Sequence, residues 1–277
     1  MKLTAVDYKA PGSDRLFVES LHETGFGVLK NHPIDQELVN SIYAHWAEFF
    51  ASDEKHRYAY HRDTQDGFYS SDAAETAKNF RKKDIKEYFH FYPWGQCPES
   101  LRGELERYYA AAHDLAAELL AWVEQYSPAG ITYSEPLSHM IDGSDQTLLR
   151  ILNYPAFTGS EEAGAVRAAA HEDINLLTIL PAADAGGLEV LTKEGTWIPV
   201  PCDFENLIIN AGDMLQEASG GYFRSTSHRV VNPADADRSR ARMSLPLFLH
   251  PRPDVVLSGK YTAGSYLSER LRELKVV

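Results

Sequence analysis

Residues 171–180 read His-Glu-Asp-Ile-Asn-Leu-Leu-Thr-Ile-Leu, a polar start followed by a largely apolar run rich in β-branched residues. Such a run is typical of a buried strand, and we therefore predict one strand here. Successive side chains of a strand point to opposite faces, so His171 and Asp173 share a face while Glu172 points away. An imidazole beside a carboxylate is half of the two-His, one-carboxylate triad that holds non-heme iron. The stretch thus predicts half of a metal site.

The second half of the chain is predicted to be rich in strands. Short strand-type runs, separated by Gly, Pro, Asn and Asp, occur at 148–154, 174–180, 187–190, 197–199, 207–210, 228–231 and 242–249. Many short strands with turn signals between them are typical of a double-sheet barrel of the jelly-roll kind.

The first half is predicted to be rich in helices. Apolar residues at helical spacing predict one helix from near Ser13 to Gly25, one after the capping residue Asp35, and one from Ser100 to Tyr126. No repeat or linker divides the chain. We therefore expect an α+β fold that forms a single globular unit over residues 1–277. Its helix-rich N-terminal part, 1–128, is expected to pack against a jelly-roll catalytic core, 129–277.

Composition restricts the partners of the protein. The 277 residues carry a formal net charge of −13, which argues against nucleic acid and anionic membranes as partners. No apolar window is long enough to span a membrane, and the first residues show no secretory signal, so a cytoplasmic location is expected. Cys97 and Cys202 form no CxxC pattern, and we expect two free thiols. Oligomeric state is left open.

A second histidine completes the candidate metal site. His228 follows Ser-Thr-Ser at 225–227 and opens a β-branched run, a position suited to the mouth of a barrel. A lone His-x-Asp tripeptide is usually made of ordinary surface or turn residues. With His228 on a matching strand, His171 and Asp173 become part of a triad that leaves metal positions open for a cosubstrate and dioxygen.

Arg242 and Ser244 form a second polar pair in a predicted strand. They are two residues apart and share a face that is expected to point into the barrel. A buried guanidinium needs a partner, and an arginine beside a hydroxyl suits a carboxylate. The partner of Arg242 could be an internal Asp or Glu. Beside a metal triad, a small dicarboxylate cosubstrate is the better explanation.

With these residues in place, the chain resembles the isopenicillin N synthase-like branch of the Fe(II)/2-oxoglutarate-dependent dioxygenases. The most specific element of the resemblance is the order His-x-Asp, His, Arg-x-Ser with its separations. Further similar segments run along nearly the whole chain, at 25–28, 31–34, 49–50, 84–89, 186–190, 195–200, 210–216 and 227–231.

The resemblance implies a function and its cofactors. It implies a double-stranded β-helix in which His171, Asp173 and His228 ligate Fe(II) as the catalytic centre. It also implies that 2-oxoglutarate and dioxygen are consumed, that succinate and carbon dioxide are released, and that a small-molecule substrate is oxidised, by default through hydroxylation.

The resemblance also assigns the cosubstrate residues. Arg242 and Ser244 are expected to hold the distal carboxylate of 2-oxoglutarate, and Tyr154 is expected to touch the same molecule. The plant-type pattern has an asparagine two residues before this tyrosine, where the present chain has Leu152. The details of the cosubstrate pocket are therefore expected to differ.

Two other functions stay open at this point. One is an Fe(II) oxidase that needs no 2-oxoglutarate, in which Arg242 and Ser244 bind a carboxylate of the substrate. The other is a non-catalytic protein that binds a metal or a small acid. Candidate substrate-side residues are Phe68, Tyr69 and Tyr266, whereas His250 is expected to be a turn residue.

Overall fold

The computed structural model describes residues 3–71, 86–156, 167–182, 187–201, 203, 205–231 and 241–273. The α-helices in these ranges are α1 (Ser13–Thr24), α2 (Gln36–Ala51), α3 (Glu99–Gln125), α4 (Asp213–Ala218) and α5 (Ala263–Glu273). Short 3-10 helices lie at Asp53–Tyr58 and His139–Ile141. The strands are β1 (Ala5–Asp7), β2 (Phe26–Lys30), β3 (Gly67–Tyr69), β4 (Glu87–Phe91), β5 (Leu148–Tyr154), β6 (Ala168–His171), β7 (Leu177–Pro181), β8 (Leu188–Leu191), β9 (Trp197–Pro199), β10 (Leu207–Ala211), β11 (His228–Val230), β12 (Arg242–Ser244) and β13 (Leu247–Leu249).

The predicted helix boundaries are confirmed. Helix α1 ends at Gly25, whose left-handed backbone (φ 76°) lets its N–H donate to the carbonyl of Leu21. Helix α2 begins after Asp35, whose carboxylate accepts from the backbone N–H groups of Glu37 and Leu38. The local chemistry at these helix ends explains why the sequence locates them.

The described strands form two sheets that face each other. The larger sheet has the order β1-β2-β10-β7-β13-β5-β4-β3, with β12 also paired to β5, and the smaller has the order β6-β11-β8-β9. Phe26 and Ile208 from the larger sheet pack in one cluster with Leu188 and Val230 from the smaller. The opposite face of the larger sheet joins the main core with α1, α2 and α3. This is the expected jelly roll with helices covering one side.

The predicted single globular unit, with a helix-rich part before residue 128 and a jelly-roll core after it, stays a prediction. Strands β1 to β4, which precede this point, pair into the larger sheet beside strands that follow it. Within the described ranges, no helix combines the length and the apolar character needed to cross a membrane.

The prediction of one strand over residues 171–180 is wrong. Strand β6 ends at His171 in the smaller sheet, and β7 begins at Leu177 in the larger. Between them the side chain of Asn175 donates to the carbonyl of Leu177 at 2.9 Å and closes the link. A polar start followed by a largely apolar run does not show whether the two parts belong to one strand or to two strands joined by a short link.

The predicted strand over residues 242–249 is also divided. It forms β12 and β13, which both pair with β5 and are separated by Leu245 and Pro246. Proline lacks the N–H that a continuous ladder needs, which accounts for the break.

The prediction of two free thiols can be compared with the structure at Cys97. Cys97 is a buried free thiol, as predicted, and burial raises its pKa to about 12. Cys202 lies outside the described residues, as do residues 84–85 of the family-like segment 84–89.

Candidate metal centre and cosubstrate site

The two predicted histidine ligands lie side by side on paired strands. His171 is the last residue of β6, His228 is the first residue of β11, and the antiparallel register places them directly opposite each other. Their ring centroids are 4.4 Å apart. Asp173 reaches the same place from the link that follows β6. The strand register and the link, rather than a shared strand face, therefore bring the triad together.

The donor atoms of the triad have the spacing of groups that share one ion. The Nε2 atom of each histidine lies 3.9 Å from Oδ1 of Asp173, and the three donor atoms all lie within 4.8 Å of one another. Two donors that each bind one ion at about 2.1 Å are at most about 4.2 Å apart, and both histidine–aspartate distances lie inside this limit. His171, Asp173 and His228 thus fit a single small cation.

Backbone carbonyls fix both imidazoles in the form that binds a metal. Nδ1 of His171 lies 2.8 Å from the carbonyl oxygen of Ala169, and Nδ1 of His228 lies 3.2 Å from that of Thr226. A carbonyl only accepts, so Nδ1 carries the proton in each ring. Each Nε2 then keeps a lone pair directed towards Asp173, which is the arrangement found in metal-bound histidines.

Two buried side chains orient the carboxylate. Thr178 on β7 and Asn210 on β10 donate to Oδ2 of Asp173 at 2.6 Å and 2.8 Å. These two residues are cross-strand partners in the larger sheet. Because Oδ2 is held in this way, Oδ1 faces the histidines. We did not identify Thr178 or Asn210 from the sequence; the available signal was a polar residue inside each apolar strand.

The protonation states also suit a metal. The pKa of His171 is lowered, first by desolvation and then by the neighbouring His228, although 42 % of its side-chain surface stays exposed. For Asp173, burial acts to raise the pKa, but His228, His171 and the two hydrogen bonds lower it on balance. A neutral imidazole at His171 and a charged carboxylate at Asp173 are the forms that bind a metal ion.

The three predicted cosubstrate residues lie together on β5 and β12. Arg242 is the cross-strand partner of Tyr154, and Ser244 is the partner of Leu152. The side chains of Arg242, Ser244 and Tyr154 are buried, and the guanidinium carbon of Arg242 lies 6.0 Å from the centre of the Tyr154 ring. A buried cation beside two hydroxyls suits a carboxylate.

A second buried guanidinium lies at this pocket. Arg167, just before β6, is 4 % exposed, and its guanidinium carbon also lies 6.0 Å from the Tyr154 ring centre. Sequence reasoning missed Arg167 because no motif marks it. Its presence makes this end of the space between the sheets more positive.

The candidate substrate-side residues do not all lie in the same layer of the molecule. Phe68 packs 6.1 Å from Phe50 in the main core and therefore faces the helices. Tyr69 points to the other face of β3 and stacks on Tyr88 at 4.6 Å. Tyr266, on α5, packs in the main core. Of the three, only Tyr69 faces the interior between the sheets.

Comparisons with known proteins agree with this architecture. A family model described as the 2OG-Fe(II) oxygenase superfamily matches residues 146–251. A second, described as the non-haem dioxygenase in morphine synthesis N-terminal, matches residues 15–113.

Individual relatives cover nearly the whole chain. A candidate oxygenase from Shewanella oneidensis is 58 % identical over 100 % of both chains, with a TM-score of 0.91. A candidate 2OG-Fe(II) oxygenase family protein from Caulobacter crescentus is 26 % identical, covering 98 % of this chain and 99 % of the other, with a TM-score of 0.81. The proline hydroxylase buaE of Petromyces alliaceus is 27 % identical over 92 % of this chain and 89 % of its own.

A double-sheet barrel with two histidines and a carboxylate at one end is the framework of a non-heme iron oxygenase. The chain belongs to the 2OG-Fe(II) oxygenase superfamily. It is a 2-oxoglutarate-dependent dioxygenase, whose cofactor is Fe(II) and whose cosubstrates are 2-oxoglutarate and dioxygen. Neither the oxidase that needs no 2-oxoglutarate nor the non-catalytic binder is favoured.

Proposed function

We propose that this protein oxidises a small molecule, by hydroxylation, at an Fe(II) ion held by His171, Asp173 and His228. The observation that carries the assignment is the convergence of two Nε2 atoms on Oδ1 of Asp173, each at 3.9 Å. Bound Fe(II) supplies the oxidising chemistry, in which 2-oxoglutarate and dioxygen give succinate, carbon dioxide and an oxidised substrate.

The cosubstrate residues have a separate role in the proposal. Arg242 and Ser244 bind the distal carboxylate of 2-oxoglutarate, and Tyr154 contacts the same molecule. The guanidinium can grip a carboxylate with two parallel hydrogen bonds, which fixes its position as well as its charge. Because Leu152 cannot form the hydrogen bonds of an asparagine, the grip on 2-oxoglutarate depends on these three side chains.

The remaining interior residues exclude water from the reaction. Apolar side chains from both sheets, including Val28, Leu188, Val190 and Ile208, fill the space beyond the site. Thr178 and Asn210 keep Asp173 turned towards the imidazoles. Because the metal-binding side chains are already held in position and water is excluded, they need to move little when the substrate binds.

We further propose that the substrate is free in the cytoplasm and that neither nucleic acid nor a membrane takes part. The support is the net charge of −13, which would repel both kinds of polyanion.

Two measurements test the function. Anaerobic addition of 2-oxoglutarate to the Fe(II) protein should produce a visible charge-transfer absorption, which Arg242→Ala should weaken. In air, the Fe(II) protein should release succinate from 2-oxoglutarate, and His171→Ala should not. Oxidation of a substrate without the absorption would support the oxidase, whereas no succinate under any condition would support the binding protein.

A further inference from the structure

The short helix α4 contacts the segment that carries one of the iron donors. The backbone N–H of Asp213, the first residue of α4, donates to the carbonyl of Asp173 at 2.7 Å. The approach is so close that a Cβ on Gly212 would overlap with the carbonyl oxygen of Asn175, which explains why a glycine precedes the helix. The start of α4 is therefore fixed on the link that holds Asp173.

The side chain of Gln216, on the same helix, contacts the segment that carries another donor. Its Oε1 accepts from the backbone N–H of Ser225 at 3.0 Å. The main chain of Gln216 is held at both ends, because its N–H donates to the carbonyl of Gly212 at 3.1 Å and its carbonyl accepts from the N–H of Gly221 at 2.8 Å. Gln216 thus ties Ser225 to a helix that is itself tied to Asp173.

Ser225 precedes the residue that orients His228. The carbonyl of Thr226 lies 3.2 Å from Nδ1 of His228 and so sets the direction in which Nε2 points. On the other side of Thr226, the carbonyl of Ser227 accepts from the N–H of Leu191, on β8, at 2.9 Å. Thr226 therefore lies between two residues whose backbones are held, one by Gln216 and the other by β8.

The bond from Gln216 has no equivalent in this segment. Within the described part of the chain, Ser225 has the one backbone N–H of residues 224–227 that donates to a protein group. The next N–H before it that is bonded belongs to Phe223, which donates to Oγ of Ser219 at 3.1 Å. Loss of the Gln216 contact would leave the backbone free to move between Phe223, which is buried in the main core, and Ser227.

Resting on the proposed function, we propose that Gln216 is a positioning residue of the iron centre. Through α4, it holds the segment of His228 in place relative to the segment of Asp173, so that Nε2 of the histidine stays 3.9 Å from Oδ1 of the aspartate. Gln216 acts through the backbone of Ser225 and Thr226 and not on the metal itself.

The first test removes the acceptor. Gln216→Met keeps the length of the side chain, but its sulfur is only a weak acceptor. The Fe(II) affinity, measured by anaerobic equilibrium titration, should fall about tenfold, at the lower end of the range for partners outside the metal ligands. Gln216→Glu keeps an acceptor oxygen and should restore most of the lost affinity, in a titration at high salt that screens the added charge. An unchanged affinity in Gln216→Met, or no recovery in Gln216→Glu, would overturn the proposal.

Gln96→Met is the matched control for a purely structural role. Nε2 of Gln96 also joins two segments, since it donates to the carbonyls of Ala59 at 3.0 Å and Asp66 at 3.2 Å. These contacts lie beside β3, at the edge of the larger sheet. Both variants should unfold at lower denaturant concentration than the wild type, whereas only Gln216→Met should lose Fe(II) affinity. Equal losses of affinity in the two variants would show a general loosening and contradict the assigned role.

The second test uses the unmodified protein, so it decides the matter even if Gln216→Met does not fold. Hydrogen exchange at the N–H of Ser225 should be slower in the Fe(II) protein than in the metal-free protein, because a bound ion stabilises the arrangement that holds it. The N–H of Gln96, which donates to Oδ2 of Asp66, should exchange equally in both. Equal exchange at Ser225 with and without Fe(II) would overturn the proposal. A wild-type protein that binds no Fe(II) would refute the proposed function itself, whereas Fe(II) binding that is unaffected by Gln216→Met would refute only the role of Gln216.

Discussion

The space between the two sheets has an apolar end and a polar end, and single strands contribute to both. On β10, Ile208 packs in the apolar cluster, while Asn210, two residues along the same face, donates to Asp173. On β11, Val230 lies in that cluster while His228 faces the donor site. Each strand thus places a packing residue and a functional residue only two positions apart.

This difference separates stability from function over a short distance. At the apolar end, side chains gain free energy simply by leaving water. At the polar end, each buried group must find a partner, and Asp173 finds Thr178 and Asn210. Substitutions at the two ends should therefore have different effects, and the following experiments are ordered from the largest expected effect to the smallest.

Asp173→Ala should remove the iron centre. Its Oδ1 lies 3.9 Å from both Nε2 atoms and is itself a donor, so the Fe(II) affinity should fall by more than the about 10–100-fold that follows loss of an outer partner. Equilibrium Fe(II) titration under anaerobic conditions measures this change. Asp114→Ala, at an exposed position of α3, is the control and should bind Fe(II) as the wild type does. An unchanged affinity in Asp173→Ala would refute the assigned centre.

Ile208→Ala should act on stability alone. The side chain is 2 % exposed, and its loss should lower the free energy of unfolding by about 2–5 kcal/mol, as measured by denaturant titration. The folded variant should keep its Fe(II) affinity, because Ile208 contacts the apolar cluster and not the donor set. A large loss of Fe(II) affinity in the folded state would show that the two ends are not independent.

Asn210→Leu, in contrast to Ile208→Ala, should act on Fe(II) affinity. It removes one of the two hydrogen bonds that orient Asp173, and the Fe(II) affinity should fall about 10–100-fold. Asn153→Leu is a matched control, since Asn153 lies on β5 and donates to Glu87. If both variants bind Fe(II) equally well, Asn210 does not support the carboxylate.

The smallest expected effect is that of His90 on the pH dependence of the free energy of unfolding. Its pKa is lowered in the folded protein, so below its ordinary value of about 6.5 the unfolded chain binds a proton that the folded protein does not. The free energy of unfolding should therefore decrease as the pH falls from 7 to 5, by at most about 2 kcal/mol from this group. His90→Gln should lose less stability than the wild type over this range in thermal or denaturant unfolding. Identical pH profiles would contradict a neutral His90.

Sequence reasoning located the donors but not the way in which they meet. The spacing of His171, Asp173, His228, Arg242 and Ser244 marked the chemistry, because these residue types are rare in apolar strands. The assumption of one strand over residues 171–180 failed because a polar start followed by an apolar run does not reveal the change of sheet after His171.

The sequence did not predict which strands pair when they lie far apart along the chain. Thr178 and Asn210 meet because β7 and β10 pair, and His90 and Arg150 meet because β4 and β5 pair, across 60 residues of chain. Nothing local to these residues indicates which strand lies beside them. The capping groups of α1 and α2, by contrast, act within four residues and were predicted correctly.

Anomalous diffraction at the iron edge tests the central claim most directly. Crystals of the protein loaded anaerobically with Fe(II) and 2-oxoglutarate should show one anomalous peak between the Nε2 atoms of His171 and His228 and Oδ1 of Asp173, at about 2.0–2.2 Å from each. Density for a carboxylate should lie against Arg242. A peak elsewhere, or iron bound without contact to Asp173, would contradict the account.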